Sequence, residues 1–268
     1  MKTSQHSDRV AFVTGAASGI GRQTALKLSV DEGASVYVAD RDATGAAATA
    51  AAIRNAGGRA HELVFDLGDI GTLSRTMATL TQAFGPPDIL VNCAAVVATV
   101  PAAGLPLDLW DSTMAINVTA PMLLIQHALQ HMSAKGWGRI VNIASISGVR
   151  AGTGRLAYGT SKAALIALTK QFAIEAAESG VTVNAIAPGP VDTPMVRRLQ
   201  GDSDKTMYAE MIPMRRYASP DEIADSVLFL VSEQSAYITG HTLAVDGGFL
   251  AGGVLLRNLF DQPPAIAA

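Results

Sequence analysis

Short apolar runs alternate with longer helical stretches along most of the chain, and this alternation constrains the fold more than any other feature. The runs are rich in Val and Ile and lack strict polar alternation, which is typical of strands covered by helices on both faces. The predicted strands are 10–14, 35–39, 63–65, 89–91, 140–144, 181–187 and 242–245. The predicted helices are 21–31, 43–55, 71–84, 109–134, 156–178 and 220–232.

This order predicts βαβ crossovers and therefore an α/β fold: a single doubly wound parallel sheet flanked by helices on both faces. No repeat, charge block or low-complexity linker divides the sequence. We expect one domain over residues 9–250, a flexible N-terminus over 1–8 and a C-terminal extension over 251–268.

Charge and cysteine content exclude several classes of function. The 20 basic and 23 acidic residues give a net charge of −3, without the basic excess that binds nucleic acid backbones. The single cysteine, Cys93, excludes an internal disulfide framework and fits a reducing compartment. Apolar runs end well before the roughly 18 residues of a membrane span, and residues 1–8 have no secretory signal pattern. We therefore expect a cytoplasmic protein without nucleic acid or membrane partners.

A glycine-rich turn follows the first predicted strand. Its spacing is G-x-x-x-G-x-G, with Gly15, Gly19 and Gly21 leading into a helix. Glycines let backbone N–H groups approach a phosphate, and the helix start adds its positive dipole end. We therefore expect Gly15, Ser18, Gly19, Ile20 and Gly21 to bind the pyrophosphate of a dinucleotide, although a merely tight turn stays open.

Asp40 ends the second predicted strand, 19 residues after Gly21. A carboxylate there accepts hydrogen bonds from the adenosine ribose and repels a 2′-phosphate, which favours NAD over NADP. The neighbouring Arg41 could instead hold that phosphate, whereas Ser18 in the glycine turn adds no second cation. A turn-initiating Asp40 beside a solvated Arg41 is the structural alternative.

Tyr158, Lys162 and Ser145 form the strongest local signal. Tyr158 and Lys162 lie at i and i+4 of a predicted helix and therefore share one face. A nearby ammonium is expected to lower the pKa of the tyrosine from about 10. Ser145 follows a buried strand, where its hydroxyl can hydrogen-bond a substrate oxygen beside Tyr158.

Together these motifs resemble the classical short-chain dehydrogenase/reductase family, which has a Rossmann-type fold, over roughly residues 9 to 250. The resemblance also rests on further positions in the family's order: Asp66, Asn92-Cys93-Ala94-Ala95, Asn117, Pro188-Gly189, Val191, Thr193 and Asp246-Gly247-Gly248. It implies the catalytic residues Asn117, Ser145, Tyr158 and Lys162. The cofactor-binding residues that it implies beyond the glycine turn are Asp40, Arg41, Asp66, Leu67, Asn92, Ala94, Tyr158, Lys162, Pro188, Gly189, Val191 and Thr193.

One motif departs from the family pattern. Cys93 replaces the second Asn, and Ala95 the Gly, of the segment after the fourth strand. A thiol is a poor substitute for a hydrogen-bonding amide, so we expect a modest local cost and retained function. A reactive thiol is the alternative, which burial at this position would oppose.

The resemblance implies a mechanism. Hydride passes between nicotinamide and a carbonyl carbon beside Ser145, while Tyr158 donates or accepts the proton. Lys162 holds the nicotinamide ribose and favours the phenolate, and Asn117 retains a water that continues a proton relay to Lys162.

The substrate is less constrained. Ser145, Ser147, Val96, Val97 and Met195 are the candidate substrate contacts, and Val149 and Thr153 are further positions. A lid over residues 194–217 carries methionines and four arginines, Arg197, Arg198, Arg215 and Arg216. The arginines could bind an anionic substrate or form a solvated face.

The stretches 121–132 and 163–177 are apolar around most of each helix. We expect them to pack against a second subunit, in a homotetramer as is common in the family, unless loops of the same chain cover them. His127 and His131 have the i, i+4 spacing of zinc ligands, but no H-E-x-x-H pattern supports a site, and we expect no metal.

The sequence thus predicts an NAD(H)-dependent oxidoreductase acting on a secondary alcohol or ketone of alcohol, polyol or sugar type. An NADPH-dependent 3-oxoacyl-(acyl-carrier-protein) reductase is the alternative within the family. A non-catalytic dinucleotide-binding sensor or scaffold is the alternative from another class, and the presence of Ser145, Tyr158 and Lys162 opposes it.

Overall fold

A computed structural model describes residues 9–253 and shows one sheet whose strand pairings are all parallel. The strands are β1 (Val10–Thr14), β2 (Ser35–Asp40), β3 (Arg59–Val64), β4 (Ile89–Asn92), β5 (Gly138–Ile143), β6 (Val181–Pro188) and β7 (Thr242–Val245). Their order across the sheet is β3-β2-β1-β4-β5-β6-β7. The direction of winding therefore reverses between β1 and β4, which opens a crevice beyond their carboxyl ends.

Helices cover both faces of this sheet. In chain order they are α1 (Gly19–Val30), α2 (Ala43–Asn55), α3 (Ile70–Phe84), α4 (Leu107–Met114), α5 (Ala120–Lys135), α6 (Leu156–Ala176), α7 (Pro194–Leu199), α8 (Asp202–Met211) and α9 (Pro220–Val231). One core packs α1, α2 and α9 on the sheet, and the other packs α3, α5 and α6 on the opposite face. Strands β5 and β6 are buried along their whole length because helices cover them on both sides.

The structure confirms the predicted fold class and corrects two element boundaries. The strand predicted at 63–65 is β3, which begins at Arg59. It lies at the sheet edge and exposes four of its six residues, so the apolar run that marks a buried strand is missing. The single helix predicted at 109–134 is α4 and α5 separated by a π-helical turn, Ala115–Thr119.

The ends of the chain and its assembly stay as predictions. The predicted N-terminal segment 1–8, and the predicted extension 251–268 from residue 254 onward, lie outside the described residues. On α6, Ile174 is 76% exposed in the single chain, so the described part of the chain does not cover this position. No helix within residues 9–253 combines the length and apolarity that crossing a membrane requires.

The two histidines with zinc-ligand spacing contact different side chains. His127 Nε2 lies 2.8 Å from Thr81 Oγ1, and His131 Nε2 lies 3.3 Å from Asp88 Oδ1. Burial lowers the pKa of His127 below its usual value. Within residues 9–253, no group of three or more His, Cys, Asp or Glu side chains is arranged to hold a metal ion.

Asp88 connects three elements at the amino end of the sheet. It precedes β4, is 2% exposed, and accepts a hydrogen bond from the Val10 N–H of β1 at 3.0 Å. Lys135 at the end of α5 donates to the same carboxylate, which His131 also contacts. A buried carboxylate with these partners holds β1 and β4 side by side.

We expect Asp88→Ala to lower the free energy of unfolding by about 1–3 kcal/mol, because the Val10 N–H loses its acceptor in a buried place. Urea denaturation of the purified protein measures the change. Asp111→Ala is the matched control: this carboxylate is exposed on α4, and its removal is expected to cost less than about 0.5 kcal/mol. Equal effects of both substitutions would contradict the structural role of Asp88.

Candidate active site

A cavity of about 1420 Å³ lies beyond the carboxyl ends of β1, β4, β5 and β6. It runs from the glycine turn to the segment that contains α7 and α8. The residues predicted to bind cofactor, to contact substrate or to act in catalysis line it, except Asn92, Asn117 and the further substrate position Val149. The structure therefore brings together side chains from positions 15 to 195 of the sequence.

The glycine turn after β1 approaches the segment after β4 very closely. Gly15 and Gly19 have φ angles of +67° and +54°, which side-chain-bearing residues rarely adopt. A Cβ on Gly15 would lie 2.9 Å from the backbone of Ala94. The cap residue of α1, Ser18, makes no side-chain hydrogen bond to the first turn of the helix. The exposed backbone N–H groups of this helix start fit a dinucleotide pyrophosphate.

Thr14 fixes the position of the segment after β4. Its Oγ1 accepts hydrogen bonds from the N–H groups of Cys93 and Ala94, both at 3.0 Å. Ala94, Ala95 and Cys93 line the cavity. Burial raises the pKa of the Cys93 thiol to about 12, so little thiolate forms at neutral pH, and the reactive-thiol alternative is not supported.

Asn92, predicted to bind cofactor, lies in the interior of the protein and not on the wall of the cavity. It is 3% exposed and does not line the cavity. Its Nδ2 donates to Asn142 Oδ1 at 2.8 Å, and Asn142 Nδ2 donates to Thr169 Oγ1 at 2.9 Å. These side chains join β4, β5 and α6 in the interior, so Asn92 supports the sheet beneath the cavity.

The Asp40 carboxylate is fixed at the end of β2. Its Oδ2 accepts from the Ala17 N–H and its Oδ1 from the Asp42 N–H, each at 3.0 Å. Arg41 is exposed, lines the same end of the cavity, and forms no ion pair with a side chain of residues 9–253. Asp66 and Leu67 also line this end, and Asp66 Oδ1 accepts from the Gly68 N–H at 2.8 Å.

Ser145, Tyr158 and Lys162 meet at the other end of the cavity. Lys162 is 2% exposed, and its Nζ donates to the Ile143 carbonyl at 2.7 Å, which joins α6 to the end of β5. Its Nζ also lies 5.8 Å from the Tyr158 ring centroid. Burial lowers the pKa of Lys162 to about 8.

The pKa of Tyr158 differs from the expectation. It stands above its ordinary value because burial outweighs the hydrogen bond with Ser145 and the nearby charge of Arg155, both of which lower it. In the protein without cofactor, Lys162 therefore does not bring this pKa below its ordinary value. One hydrogen of the buried ammonium is donated to the Ile143 carbonyl, and none of them is hydrogen-bonded to the phenol.

Asn117 lies in the π-helical turn and is completely buried. Its Nδ2 donates to the Val96 carbonyl at 3.0 Å and to Ser161 Oγ at 2.9 Å, while its Oδ1 accepts from the Val96 N–H at 2.9 Å. Both amide hydrogens therefore have protein partners. The side chain holds the segment after β4 against α6, and the water relay through Asn117 stays a prediction.

The segment after β6 forms the far wall of the catalytic end. Pro188, Gly189, Val191 and Thr193 line the cavity as predicted. The Gly189 N–H donates to the Val245 carbonyl at 3.0 Å. Thr193 Oγ1 accepts from the Val196 N–H and caps α7, so this threonine fixes the start of the lid.

The predicted substrate contacts Ser147, Val96, Val97 and Met195 all line the cavity. The Ser147 N–H donates to Ser145 Oγ at 3.0 Å and orients that hydroxyl. Thr153 also lines the cavity, whereas Val149 is 55% exposed and does not.

The sequence reasoning missed three side chains that line the substrate end: Arg150, Arg155 and Phe249. The guanidinium carbon of Arg155 lies 5.9 Å from the Tyr158 ring centroid, and that of Arg150 lies 5.8 Å from the Phe249 ring centroid. The one available signal was the position of Arg155, three residues before Tyr158 and therefore close to one helical turn away.

Two of the four lid arginines are neutralised by nearby carboxylates. Arg197 makes two hydrogen bonds to Asp192, at 2.8 and 2.7 Å, and Arg216 makes two to Glu222, at 2.8 and 2.6 Å. Arg198 lines the cavity, whereas Arg197, Arg215 and Arg216 do not. The solvated-face alternative is therefore correct for Arg197 and Arg216.

Comparison with known proteins agrees with this geometry. The family model described as enoyl-(acyl carrier protein) reductase matches residues 15–250. The chain is 41% identical to cis-4-hydroxycyclohexanecarboxylate dehydrogenase of Sinomonas cyclohexanicum, over 91% of this chain and 98% of the relative. It is 37% identical to the 3-oxoacyl-(acyl-carrier-protein) reductase of Aquifex aeolicus, over 90% and 96%.

The chain belongs to the short-chain dehydrogenase/reductase family. Solved structures of the same fold include a protein of Beutenbergia cavernae assigned as an NAD(P)-dependent gluconate 5-dehydrogenase, with bound NADP at low occupancy. It has a TM-score of 0.88 and 37% identity, with 91% of this chain and 98% of that chain covered. A protein of Agrobacterium tumefaciens assigned as a 2-deoxy-D-gluconate 3-dehydrogenase, with bound NADP, has a TM-score of 0.86 and 33% identity, with 94% and 100% covered.

Family membership makes this short-chain dehydrogenase/reductase an oxidoreductase that acts on CH–OH groups. Its Ser145, Tyr158 and Lys162 occupy one end of the cavity, and its glycine turn and Asp40 occupy the other. The arrangement has the elements that proton transfer and dinucleotide binding need, which opposes the sensor or scaffold alternative.

We expect Thr14→Val to weaken the binding of both NADH and NADPH by about tenfold, because two N–H groups beside the cofactor end lose their acceptor. Titration of nicotinamide fluorescence measures both dissociation constants. Thr24→Val is the matched control, since Thr24 is buried on α1 and its Oγ1 has no hydrogen-bond partner among the described residues. Unchanged dissociation constants for Thr14→Val would show that the hydrogen bonds to Thr14 do not position the segment after β4 for cofactor binding.

Proposed function

We propose that the protein is an NAD(H)-dependent dehydrogenase that transfers a hydride between nicotinamide and a secondary alcohol or ketone of alcohol, polyol or sugar type. One observation carries the proposal: a single cavity has Ser145, Tyr158 and Lys162 at one end and the fixed carboxylate of Asp40 at the other. This arrangement supplies proton transfer and ribose recognition in one site.

The residues that would hold the cofactor fit a dinucleotide. The glycine turn and the start of α1 receive the pyrophosphate, Asp40 the adenosine ribose, and Val191 and Thr193 the nicotinamide carboxamide. Gly15 supports this fit, because the cradle beside it has no room for a Cβ. A bound nicotinamide accepts or supplies the hydride. Asp66 and Leu67 border the adenine end, and Pro188 and Gly189 border the nicotinamide end.

The protein's own groups orient the substrate and move its proton. The Ser145 hydroxyl, oriented by the Ser147 N–H, hydrogen-bonds the substrate oxygen. Tyr158 takes the proton from the alcohol in oxidation and returns it to the ketone oxygen in reduction. Lys162 keeps two ammonium hydrogens for the nicotinamide ribose after it donates to Ile143, and its pKa of about 8 leaves it mostly protonated at neutral pH.

Asp40 supports NAD as the preferred cofactor. Its carboxylate is held rigidly by two backbone N–H groups, and a 2′-phosphate placed there would meet a negative charge. Arg41 favours the alternative, an NADPH-dependent 3-oxoacyl-(acyl-carrier-protein) reductase, because its exposed guanidinium can bind a phosphate. The reductase of Aquifex aeolicus and the two NADP-bound structures support that alternative as well.

The relatives supply a panel of test compounds. The relatives described above, which are named for 4-hydroxycyclohexanecarboxylate, gluconate, 2-deoxy-D-gluconate and 3-oxoacyl-(acyl-carrier-protein), are 33–41% identical to this chain. We propose secondary alcohols of the first two kinds as substrates in the oxidative direction. We further propose a cytoplasmic homotetramer in which the exposed Ile174 of α6 lies against a second subunit.

We expect Tyr158→Phe to lower kcat by a factor on the order of 10²–10⁴ and to leave NADH binding within twofold, because the variant keeps the ring and loses the proton-transfer group. Steady-state oxidation of the panel alcohols and fluorescence titration measure the two effects. A variant that keeps more than about a tenth of the wild-type rate would contradict the role of Tyr158.

The raised pKa of Tyr158 predicts different pH profiles for the two directions. Oxidation needs the phenolate, so its rate is expected to rise with pH until Lys162, whose pKa is about 8, begins to lose the positive charge that favours the phenolate. Reduction needs the protonated phenol, which is abundant throughout this range, so its rate is expected to stay flat. Initial rates in both directions test this, and an oxidation rate that falls with increasing pH would overturn it.

We expect Asp40→Ala to weaken NADH binding and to strengthen NADPH binding, because the variant loses the ribose acceptor and the repulsive charge. Wild-type protein is expected to bind NADH more tightly than NADPH. Arg41→Ala is the matched control, and the loss of this guanidinium is expected to weaken the binding of NADPH and to leave the binding of NADH unchanged. Fluorescence titration of the three proteins decides: tighter NADPH binding by the wild type would favour the reductase alternative, and binding of neither cofactor would overturn the proposed function.

A further inference from the structure

Two arginines lie at the substrate end of the cavity, on the segment between β5 and α6. Arg150 and Arg155 both line the cavity, together with Ser145, Ser147 and Tyr158. Arg155 is half-buried, and its guanidinium carbon lies 5.9 Å from the Tyr158 ring centroid. Arg155 is therefore within a small molecule's length of the proton-transfer group.

These arginines have no carboxylate partner in the part of the chain that the structure describes. The contacts given for them are with aromatic rings, Arg155 with Tyr158 and Arg150 with Phe249. The lid arginines Arg197 and Arg216 instead hold carboxylates of the same chain with two hydrogen bonds each. Arg155 is half-buried and Arg150 is exposed, so Arg155 is the guanidinium of the two that has less water to replace a counter-charge.

The charges that line the cavity are unevenly distributed. Three of its acidic side chains, Asp40, Asp42 and Asp66, follow β2 and β3 at the adenosine end. The described lining at the lid contributes one carboxylate, Asp204 on α8, which is exposed. Arg198 of α7 adds a further cation there. The substrate end therefore carries a net positive charge.

The remaining walls of the substrate end are apolar or weakly polar. Val96, Val97 and Met195 line it, as do Met207 and Met211 of α8. These side chains accommodate an uncharged carbon skeleton, and methionines adapt to its shape. A ligand that fits this end combines such a skeleton with an anionic group.

We infer that the substrate is a hydroxy acid, or its keto acid, whose carboxylate is bound by Arg155 and Arg150 while its secondary alcohol lies at Ser145 and Tyr158. A carboxylate matches the planar guanidinium with two parallel hydrogen bonds and supplies the missing counter-charge. The inference rests on the proposed function, since it names the substrate class of the same site.

Binding of non-reactive acids tests the inference without turnover. Calorimetry compares cyclohexanecarboxylate, benzoate and hexanoate with their uncharged amides, for the free protein and for its complex with the more tightly bound of NADH and NADPH. We expect at least one acid to bind about tenfold or more tightly than its amide. Arg155→Gln is expected to abolish this preference, Arg155→Lys to restore part of it, and Arg150→Gln to reduce it.

Arg197→Gln is the matched control, because this guanidinium lies on the lid, pairs with Asp192 and does not line the cavity. It should keep the preference for acids within twofold. Equal binding of acids and amides by the wild type, or a preference that survives Arg155→Gln, would overturn the inference and would leave Arg155 as a packing partner of the Tyr158 ring.

Turnover separates this inference from the proposed function. We expect the acid 4-hydroxycyclohexanecarboxylate to have a lower KM than its methyl ester, by about tenfold or more, and Arg155→Gln should bring the two values together. Oxidation of the ester as efficiently as of the acid would overturn the inference and leave the dehydrogenase function intact. Failure to bind either nicotinamide cofactor would overturn the proposed function, while the calorimetry would still decide whether Arg155 binds a carboxylate.

Discussion

The reversal of winding between β1 and β4 is the constraint on which the whole site depends. The chain leaves β1 toward β2 and leaves β4 toward β5, so the segments after these neighbouring strands diverge. A crevice at this point is a consequence of the strand order and not of any one side chain. Residues that are far apart in sequence, such as Gly15, Ser145 and Thr193, line one cavity because parallel strands end at the same edge of the sheet. The catalytic chemistry then needs only that the segments at this edge are held in place.

Buried polar side chains hold these segments, and several of them were expected to contact ligands directly. Thr14 accepts hydrogen bonds from the segment after β4, and Asn117 joins this segment to α6. Beneath the cavity, Asn92 of β4 donates to Asn142 of β5, which donates to Thr169 of α6. Each pair satisfies groups that would otherwise be costly to bury. Lys162 combines both roles, since one hydrogen bond joins it to the Ile143 carbonyl and its remaining ammonium hydrogens stay available to a ligand. The segment that carries Cys93 is held through its backbone N–H groups, which do not depend on the side chain at position 93, and this agrees with the expectation of a modest local cost.

Local patterns predicted most of the fold and the proximity of Ser145, Tyr158 and Lys162. The periodic apolar runs predicted the parallel sheet, and the four-residue spacing of Tyr158 and Lys162 placed both on one face of α6. The features that local patterns could not predict depend on tertiary structure. The π-helical turn at Ala115–Thr119 has no propensity signal, and it contains the buried Asn117, which hydrogen-bonds Val96 and Ser161 from distant parts of the chain. The pKa of Tyr158 depends on its burial, which sequence spacing does not report. Arg150 and Arg155 lie in a segment without periodicity, so only the folded structure shows that they line the cavity.

The distribution of charge along the cavity connects cofactor choice with substrate choice. Two of the lid arginines have a carboxylate partner in the same chain, Asp192 for Arg197 and Glu222 for Arg216. Neither Arg41 at the adenosine end nor Arg155 beside Tyr158 has such a partner among residues 9–253, so both are available to an anion. The two positions differ in their neighbouring charges. Arg41 directly follows Asp40, whose carboxylate is fixed by hydrogen bonds. The cavity-lining residues that neighbour Arg155 in sequence include no Asp or Glu. A negatively charged group is therefore repelled by Asp40 at the adenosine end, whereas the lining residues next to Arg155 in sequence do not repel it. The same electrostatic reasoning that favours an unphosphorylated ribose at one end favours an acidic substrate at the other.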